Sequence, residues 1–262
     1  MKGTALVTGA SSGIGRELAR EFARHGHDLV LVARSKQRLE ALAGEIRDAH
    51  GVQVHVIVLD LGKVGAAKTL HGRVRQKRLT VDILVNNAGF GLNGAFVENT
   101  FKDEAGLLQL NINALVELCH FFGREMVERR NGYIMNVASS AGFQPGPLMS
   151  SYYASKAFVL HFSEGIAEEL RSAGVFVSAL CPGATHSDFF ERAGMQDVPL
   201  ASGGLIPVME ARDVARIAYR GLERRRVIVI PGFMNKLLAF SNRLGPRALT
   251  RKIAMRINRK PN

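Results

Sequence analysis

The opening fifteen residues constrain the fold more than any other stretch. "TALVTG", from Thr4 to Gly9, is a short apolar run that ends in glycine, and "ASSGIG" leads directly into "IGRELAREFARHG", where Ile14, Leu18 and Phe22 recur at helical spacing between charged residues. A strand, a glycine-rich turn and an amphipathic helix in that order begin a βαβ unit, and hence a parallel sheet. Gly9, Gly13 and Gly15 permit positive φ and a close backbone approach to an anion. The unpaired N–H groups at the start of the helix would then hold it.

The same form repeats along the chain. "HDLVLVAR" and "VQVHVIVLD" follow at spacings of about thirty residues, separated by "SKQRLEALAGEIRDAHG", which keeps Leu39, Leu42 and Ile46 on one helical face. "VDILVNNAG", "GYIMNVASS", "GVFVSALCPG" and "RRVIVIPG" add four more apolar runs, seven strands in all. Nearly continuous apolar strands predict a sheet covered on both faces. The expected fold is therefore a three-layer, doubly wound α/β architecture around a seven-stranded parallel sheet. At 262 residues, 47% of them hydrophobic, the chain can bury one large core, and it shows no internal repeat or linker.

Composition narrows the setting. Cys119 and Cys181 lie far apart without CxxC spacing, which predicts a reduced, cytoplasmic protein with no disulfide framework and no structural metal. The N-terminus lacks a signal-peptide pattern, and no window reaches the ~20 apolar residues of a membrane span. The net charge of +12 is localised: from Ala211 onward fourteen Lys/Arg face two acids, Asp213 and Glu223, whereas the first 210 residues hold 21 of each sign. A neutral body with a basic tail argues against nucleic acid as the partner and for a local surface.

Two positions speak to a nucleotide. In a dinucleotide-binding fold the end of the second strand, about 20 residues past the glycines, carries an acid for a ribose 2′-hydroxyl or an arginine for a 2′-phosphate. Here it reads "VARSKQR", with Arg34 at that place, so NADP(H) is expected over NAD. Asp60, closing the third strand, is a candidate partner for an adenine amino group or an N-cap for the following segment.

"SSYYASKAFVL", from Ser150 to Leu160, sets Tyr152 and Lys156 one turn apart on a common helical face, while Tyr153 would meet only Ala157. A phenol is a poor acid-base catalyst near neutral pH unless a neighbouring cation favours its phenolate form, and Lys156 would supply that charge. With TGxxxGxG, "NNAG" at Asn86 to Gly89, "YYASK", and "PG" at Pro182 and Gly183, the chain resembles the compact branch of the short-chain dehydrogenase/reductase family from Gly3 to about Gly232. The resemblance implies a Rossmann fold and an NADP-dependent oxidoreductase of the CH–OH group. It would interconvert a carbonyl and an alcohol by hydride transfer, and would commonly form a homodimer or homotetramer.

The resemblance also assigns roles. Tyr152 would be the proton donor and Lys156 its partner and a ligand of the nicotinamide ribose. Ser139, with Ser140 as a near-miss, would hydrogen-bond the reacting carbonyl oxygen, and Asn111, in preference to Asn113, would support a proton-relay water. Cofactor contacts would come from Gly9, Ser11, Ser12, Gly13, Ile14, Gly15, Arg34, Asp60, Leu61, Asn87, Ala88, Gly89, Tyr152, Lys156, Pro182 and Gly183, with Thr185 or Ser187 for the carboxamide. Ser187 stands where the family commonly has threonine. A catalytically silent NADP-binding sensor or scaffold is the alternative, against which the intact Tyr-Lys pair argues.

Substrate and tail are less sharply marked. Phe90, Leu92, Phe143, Leu148, Met149, Phe189, Phe190 and Met195 would line a pocket for a hydrophobic ketone or aldehyde, or pack a lid over it. The lone loop histidine, His186, reads as a surface residue. The body would span residues 1–232 with a substrate loop at about 184–210, and residues 233–262 would be a basic amphipathic extension. Phe233, Leu237, Phe240 and Leu244 recur before "GP" breaks the run, then Leu249, Ile253 and Ile257 recur among arginines. The extension is expected to cover the pocket or pack on a partner subunit, ahead of a peripheral membrane contact.

Overall fold

The computed structural model describes residues 1, 3–195, 198 and 208–259. Part of the expected substrate loop, 196–197 and 199–207, and the final residues 260–262 lie outside the described residues. In chain order the elements are β1 (Thr4–Thr8), α1 (Gly13–Arg24), β2 (Asp28–Ala33), α2 (Lys36–His50), β3 (Val54–Val58), α3 (Ala66–Gln76), β4 (Ile83–Asn86), α4 (Phe101–Leu108), α5 (Ala114–Glu128), β5 (Gly132–Val137), α6 (Ser150–Arg171) and β6 (Val175–Leu180). There follow β7 (Thr185–His186), α7 (Phe189–Arg192), β8 (Met209–Glu210), α8 (Ala211–Glu223), β9 (Ile228–Val229), α9 (Phe233–Leu244) and α10 (Arg247–Asn258). Seven parallel strands run in the order β3-β2-β1-β4-β5-β6-β9, as the run of apolar strands predicts. The chain reverses its winding between β1 and β4, so the C-terminal ends of these strands open a crevice there.

Strand periodicity explains the layers. In β1, Ala5 and Val7 face one core with Leu18 and Phe22 of α1, Leu39 of α2 and Leu222 of α8. Leu6 faces the opposite core with Leu70 of α3, Phe122 of α5 and Val159 of α6. Capping residues set where helices begin and end: the Ser35 hydroxyl accepts the Arg38 N–H at 3.4 Å at the start of α2, and Gly51, with φ of 66°, ends it.

Two features escape sequence patterning. A separate two-stranded parallel pair, β7 with β8, ties the segment after β6 to the start of α8. Between α4 and α5 the chain makes a π-helical turn at Gln109–Asn113, of the kind that interrupts helices at functional sites. Contrary to the expectation that no window suits a membrane span, the run Phe101–Glu128 that contains it is long and apolar enough to cross a bilayer by length and composition, though it buries Leu107, Leu115, Leu118, Phe122 and Met126.

Candidate active site

A single cleft of about 940 Å3 runs across the C-terminal ends of the central strands. At one end lies the β1–α1 turn. Gly9 adopts φ of 66° and Gly13 of 54°, both in the left-handed region, and a Cβ on Gly15 would stand 2.3 Å from the Asn87 amide nitrogen and 2.4 Å from the Gly9 carbonyl oxygen. No side chain caps the start of α1, and no acid lies in its first turn. Its free N–H groups, with Ser11, Ser12, Gly13 and Ile14 beside them, therefore face the cleft as an anion site. This cradle fits a dinucleotide pyrophosphate.

The "NNAG" segment braces the turn. Asn87 donates from its side chain to the Thr8 carbonyl at 2.9 Å, and the N–H groups of Asn87 and Ala88 both donate to the Thr8 hydroxyl at 3.0 Å. Thr8 is thus the hub between β1 and β4, a role that a lone threonine in an apolar run does not advertise. Behind it, the Asn86 amide donates to the side-chain oxygen of Asn136 at 2.9 Å, and the Asn136 amide donates to the Ser163 hydroxyl at 3.0 Å, in a buried polar ladder joining β4, β5 and α6.

Arg34, Ser35, Asp60 and Leu61 line the cleft at the ends of β2 and β3. Asp60 is not the N-cap of the helix that follows: Gly65 caps α3, and the Asp60 carboxylate instead accepts the Gly62 N–H at 3.0 Å within a turn. Arg38, in the first turn of α2, also lines the cleft and pairs with Asp188 at 3.0 Å, from the opposite wall. The only sign of this place in the sequence is that Arg38 follows Arg34 closely in "RSKQR".

Ser139, Tyr152 and Lys156 come together on the floor of the cleft. Ser139, two residues past β5, is extended and starts a 3₁₀ turn, Ser140–Phe143, by accepting the Ala141 N–H at 3.1 Å. Burial raises the Tyr152 phenol above its ordinary range, and a hydrogen bond from Ser139 works in the opposite direction. The Lys156 ammonium lies 5.8 Å from the centre of the Tyr152 ring and donates to the Val137 carbonyl at 2.7 Å. Burial lowers Lys156 to about 8. The two side chains lie on one face of α6, but the lysine is held by β5 rather than by the phenol.

Asn111 sits behind this floor and does not line the cleft. Fully buried by the π-helical turn, its amide donates to the Phe90 carbonyl at 3.0 Å and the Ser155 hydroxyl at 3.1 Å, and accepts the Phe90 N–H at 3.1 Å. It clamps the loop after β4 to α6, close enough to Gly89 that a Cβ there would stand 3.0 Å from its oxygen. Asn113 points elsewhere and donates to Gln109.

Pro182, Gly183, Thr185 and Ser187 line the far wall. Thr185 donates to the Gly183 carbonyl at 3.0 Å, and Ser187 to the Thr185 carbonyl at 3.3 Å. His186 is exposed and lies 3.7 Å from Glu210, as expected of a surface histidine. Of the eight apolar loop residues, Phe90, Met149, Phe189, Phe190 and Met195 line the cleft. Leu92, Phe143 and Leu148 do not: Phe143 turns back onto the core beside α6, and Leu148, at φ of 65°, accepts the Gly94 N–H on its carbonyl at 2.9 Å and so ties two loops together.

The tail also lines the cleft, the first of the two roles expected of its amphipathic pattern. Asn235, Leu238, Ala239 and Asn242 of α9 and Leu249, Ile253 and Ile257 of α10 complete the cleft wall. Buried Asn235 packs on Gly183, where a Cβ would stand 2.4 Å from its oxygen. The end of α10 is fastened by Asn258: it accepts from the Tyr153 hydroxyl at 3.3 Å and donates to the Pro147 carbonyl at 3.0 Å, while its own carbonyl accepts from Asn93 at 2.9 Å. Among the described residues no group of three His, Cys, Asp or Glu side chains could hold a metal.

Comparison with known proteins points to one family. Residues 3–197 match the short chain dehydrogenase family. The chain belongs to the short-chain dehydrogenase/reductase family, a family of oxidoreductases. This short-chain dehydrogenase is 36% identical over 184 residues to the very-long-chain 3-oxoacyl-CoA reductase of Anas platyrhynchos, covering 68% of this chain and 58% of that protein. It therefore spans little more than half the length of that curated relative. Among solved structures, a short-chain dehydrogenase from Sphingobium yanoikuyae in complex with NADPH is 39% identical with a TM-score of 0.81, covering 92% of this chain and 93% of the other. The bulky-bulky ketone specific alcohol dehydrogenase from Comamonas testosteroni is 35% identical with a TM-score of 0.77, covering 92% of each chain.

Proposed function

We propose that this short-chain dehydrogenase is an NADP(H)-dependent oxidoreductase that interconverts a bulky, hydrophobic ketone or aldehyde and its alcohol. The observation that carries the reading is the convergence of Ser139, Tyr152 and Lys156 in one cleft shared by the glycine turn and by the apolar side chains of α7, α9 and α10. Arg34 beside the turn suits a 2′-phosphate, and a related structure holds NADPH. The printed substrates of the relatives, a very-long-chain 3-oxoacyl-CoA and bulky-bulky ketones, support a large apolar substrate.

When bound, the cofactor supplies the hydride. The residues of the chain do the rest. The β1–α1 turn and the start of α1 hold the pyrophosphate, and Arg34 holds the 2′-phosphate. Tyr152, kept protonated by burial, gives its phenolic proton to the substrate carbonyl oxygen as negative charge develops there, and Ser139 donates a hydrogen bond to the same oxygen. The phenolate left on Tyr152 is stabilised by the Lys156 ammonium one turn away. Asn111 acts by fixing Phe90 and Ser155 around this group. Leu238, Ile253 and Ile257 exclude water from the apolar part of the cleft.

This reading takes residues 1–232 as the catalytic body and the tail as its cover. Free, buried Cys119 and Cys181 suit a reducing cytoplasm, and exposed Phe158, stacked on Phe162 of α6, suits burial in a homodimer or homotetramer. The test is NADPH consumption against ketones and aldehydes of graded size. Turnover that rises with apolar bulk supports the reading, and turnover confined to small polar carbonyls contradicts it.

A further inference from the structure

The tail helix α9 has two apolar faces, and the cleft uses one of them. Leu238 and Ala239 face inward with Asn235, whereas Phe233, Leu237 and Phe240, at positions i, i+4 and i+7, form a second stripe on the outside. Phe233 is 79% exposed, Leu237 49% and Phe240 58%. Three large apolar side chains in a row on a solvent-facing helix mark a contact surface. On α10, Leu249 and Ile253 line the cleft yet stay about half exposed, so they form its rim.

Charge selects the occupant. Lys236, Arg247, Arg251, Lys252, Arg256 and Arg259 are all exposed on these two helices, and no acidic residue follows Glu223 in the sequence. A second copy of the chain docked face to face would set this cationic surface against itself, with no acid in the segment to answer it. An anionic surface of indefinite extent meets both needs, taking the aromatic stripe into its apolar layer and the arginines at its charged boundary.

We propose that α9 and α10 dock on an anionic lipid bilayer, with Phe233, Leu237 and Phe240 inserted and the basic side chains at the headgroups. The rim of the cleft then faces the membrane, and an amphipathic carbonyl substrate enters from lipid rather than from water. The route of substrate entry rests on the function proposed above, but the docking itself does not.

The test uses the full chain with extruded vesicles, read by co-sedimentation. Vesicles of about three parts phosphatidylcholine to one part phosphatidylglycerol should retain the protein, and pure phosphatidylcholine should retain about tenfold less or worse. Both the variant Phe233→Ser/Leu237→Ser/Phe240→Ser and the variant Lys236→Gln/Arg247→Gln/Arg251→Gln/Arg256→Gln should lose about tenfold or more of the retention. Neither set lines the cleft, so NADPH binding and turnover of a water-soluble carbonyl should persist, which separates failure of docking from failure of the enzymatic reading. Retention that ignores lipid charge would overturn the proposal, as would retention that survives both variants. So would a change from oligomer to monomer in the aromatic variant without any vesicle binding by the parent, which would assign the face to a second copy of the chain.

Discussion

The phenol of Tyr153 donates to the side-chain oxygen of Asn258 at 3.3 Å, across 105 residues of sequence. Two adjacent tyrosines are thereby set apart: Tyr152 lies beside Lys156, where we propose it gives the proton, and Tyr153 fastens the tail. Replacing Asn258 by leucine leaves the Pro147 carbonyl without this donor, at a cost of about 1–3 kcal/mol where it stays buried, and leaves the Tyr153 hydroxyl with Gln144 alone. The expected result is a lower melting temperature and a raised KM for bulky ketones with NADPH affinity unchanged, read by calorimetry and steady-state kinetics.

Lys156 should shape the pH dependence. Its pKa in the folded protein, about 8, lies below the ordinary value of 10.5, so between these values the unfolded chain holds the proton that the native chain has released. Stability from this residue therefore rises as pH climbs from about 8 toward about 10.5, and is least below 8, where the ammonium must be kept buried. Activity runs the other way, because the cation that supports the Tyr152 phenolate is lost. A plot of kcat/KM for reduction against pH should fall on its alkaline side with an apparent pKa near 8. Melting curves of the wild type and Lys156→Met should converge over the same range.

Arg34→Ala should weaken NADPH about tenfold or more while leaving NADH binding nearly unchanged, as expected for loss of a charge-assisted contact to the 2′-phosphate. Fluorescence titration of both cofactors checks this. Equal weakening would assign Arg34 to a general role in the cleft wall.

Glycines should divide sharply. A methyl on Gly15 meets the Asn87 amide and the Gly9 carbonyl, both parts of the braced turn, so Gly15→Ala should abolish measurable NADPH binding and cost about 1–3 kcal/mol. Gly44 lies inside α2 with nothing within 4 Å of an added Cβ, and Gly44→Ala should stabilise the fold by about 0.5–1 kcal/mol. Chemical denaturation of the two variants gives both values.

What could be read from the sequence was what local chemistry dictates. The seven strands show through apolar runs, the β1–α1 turn through its glycines, and the Tyr152–Lys156 pair through helical spacing. What could not be read depends on distant contacts. Asn258 gives no periodic sign that it will meet Tyr153, and the burial of Asn111 follows from a π-helical turn that breaks the spacing any helix argument assumes. Phe143 and Phe189 look alike as apolar loop residues; only the path of the backbone sends the first to the core and the second to the cleft.

The most direct test of the account is single-turnover oxidation of bound NADPH by a bulky ketone, in wild type and in Tyr152→Phe, with NADPH affinity measured on the same samples. The account predicts unchanged NADPH affinity and a rate lower by about a hundredfold or more in the variant. A variant that oxidises NADPH as fast as wild type, or a wild type that binds NADPH tightly and oxidises it with no carbonyl compound in the series, would contradict it.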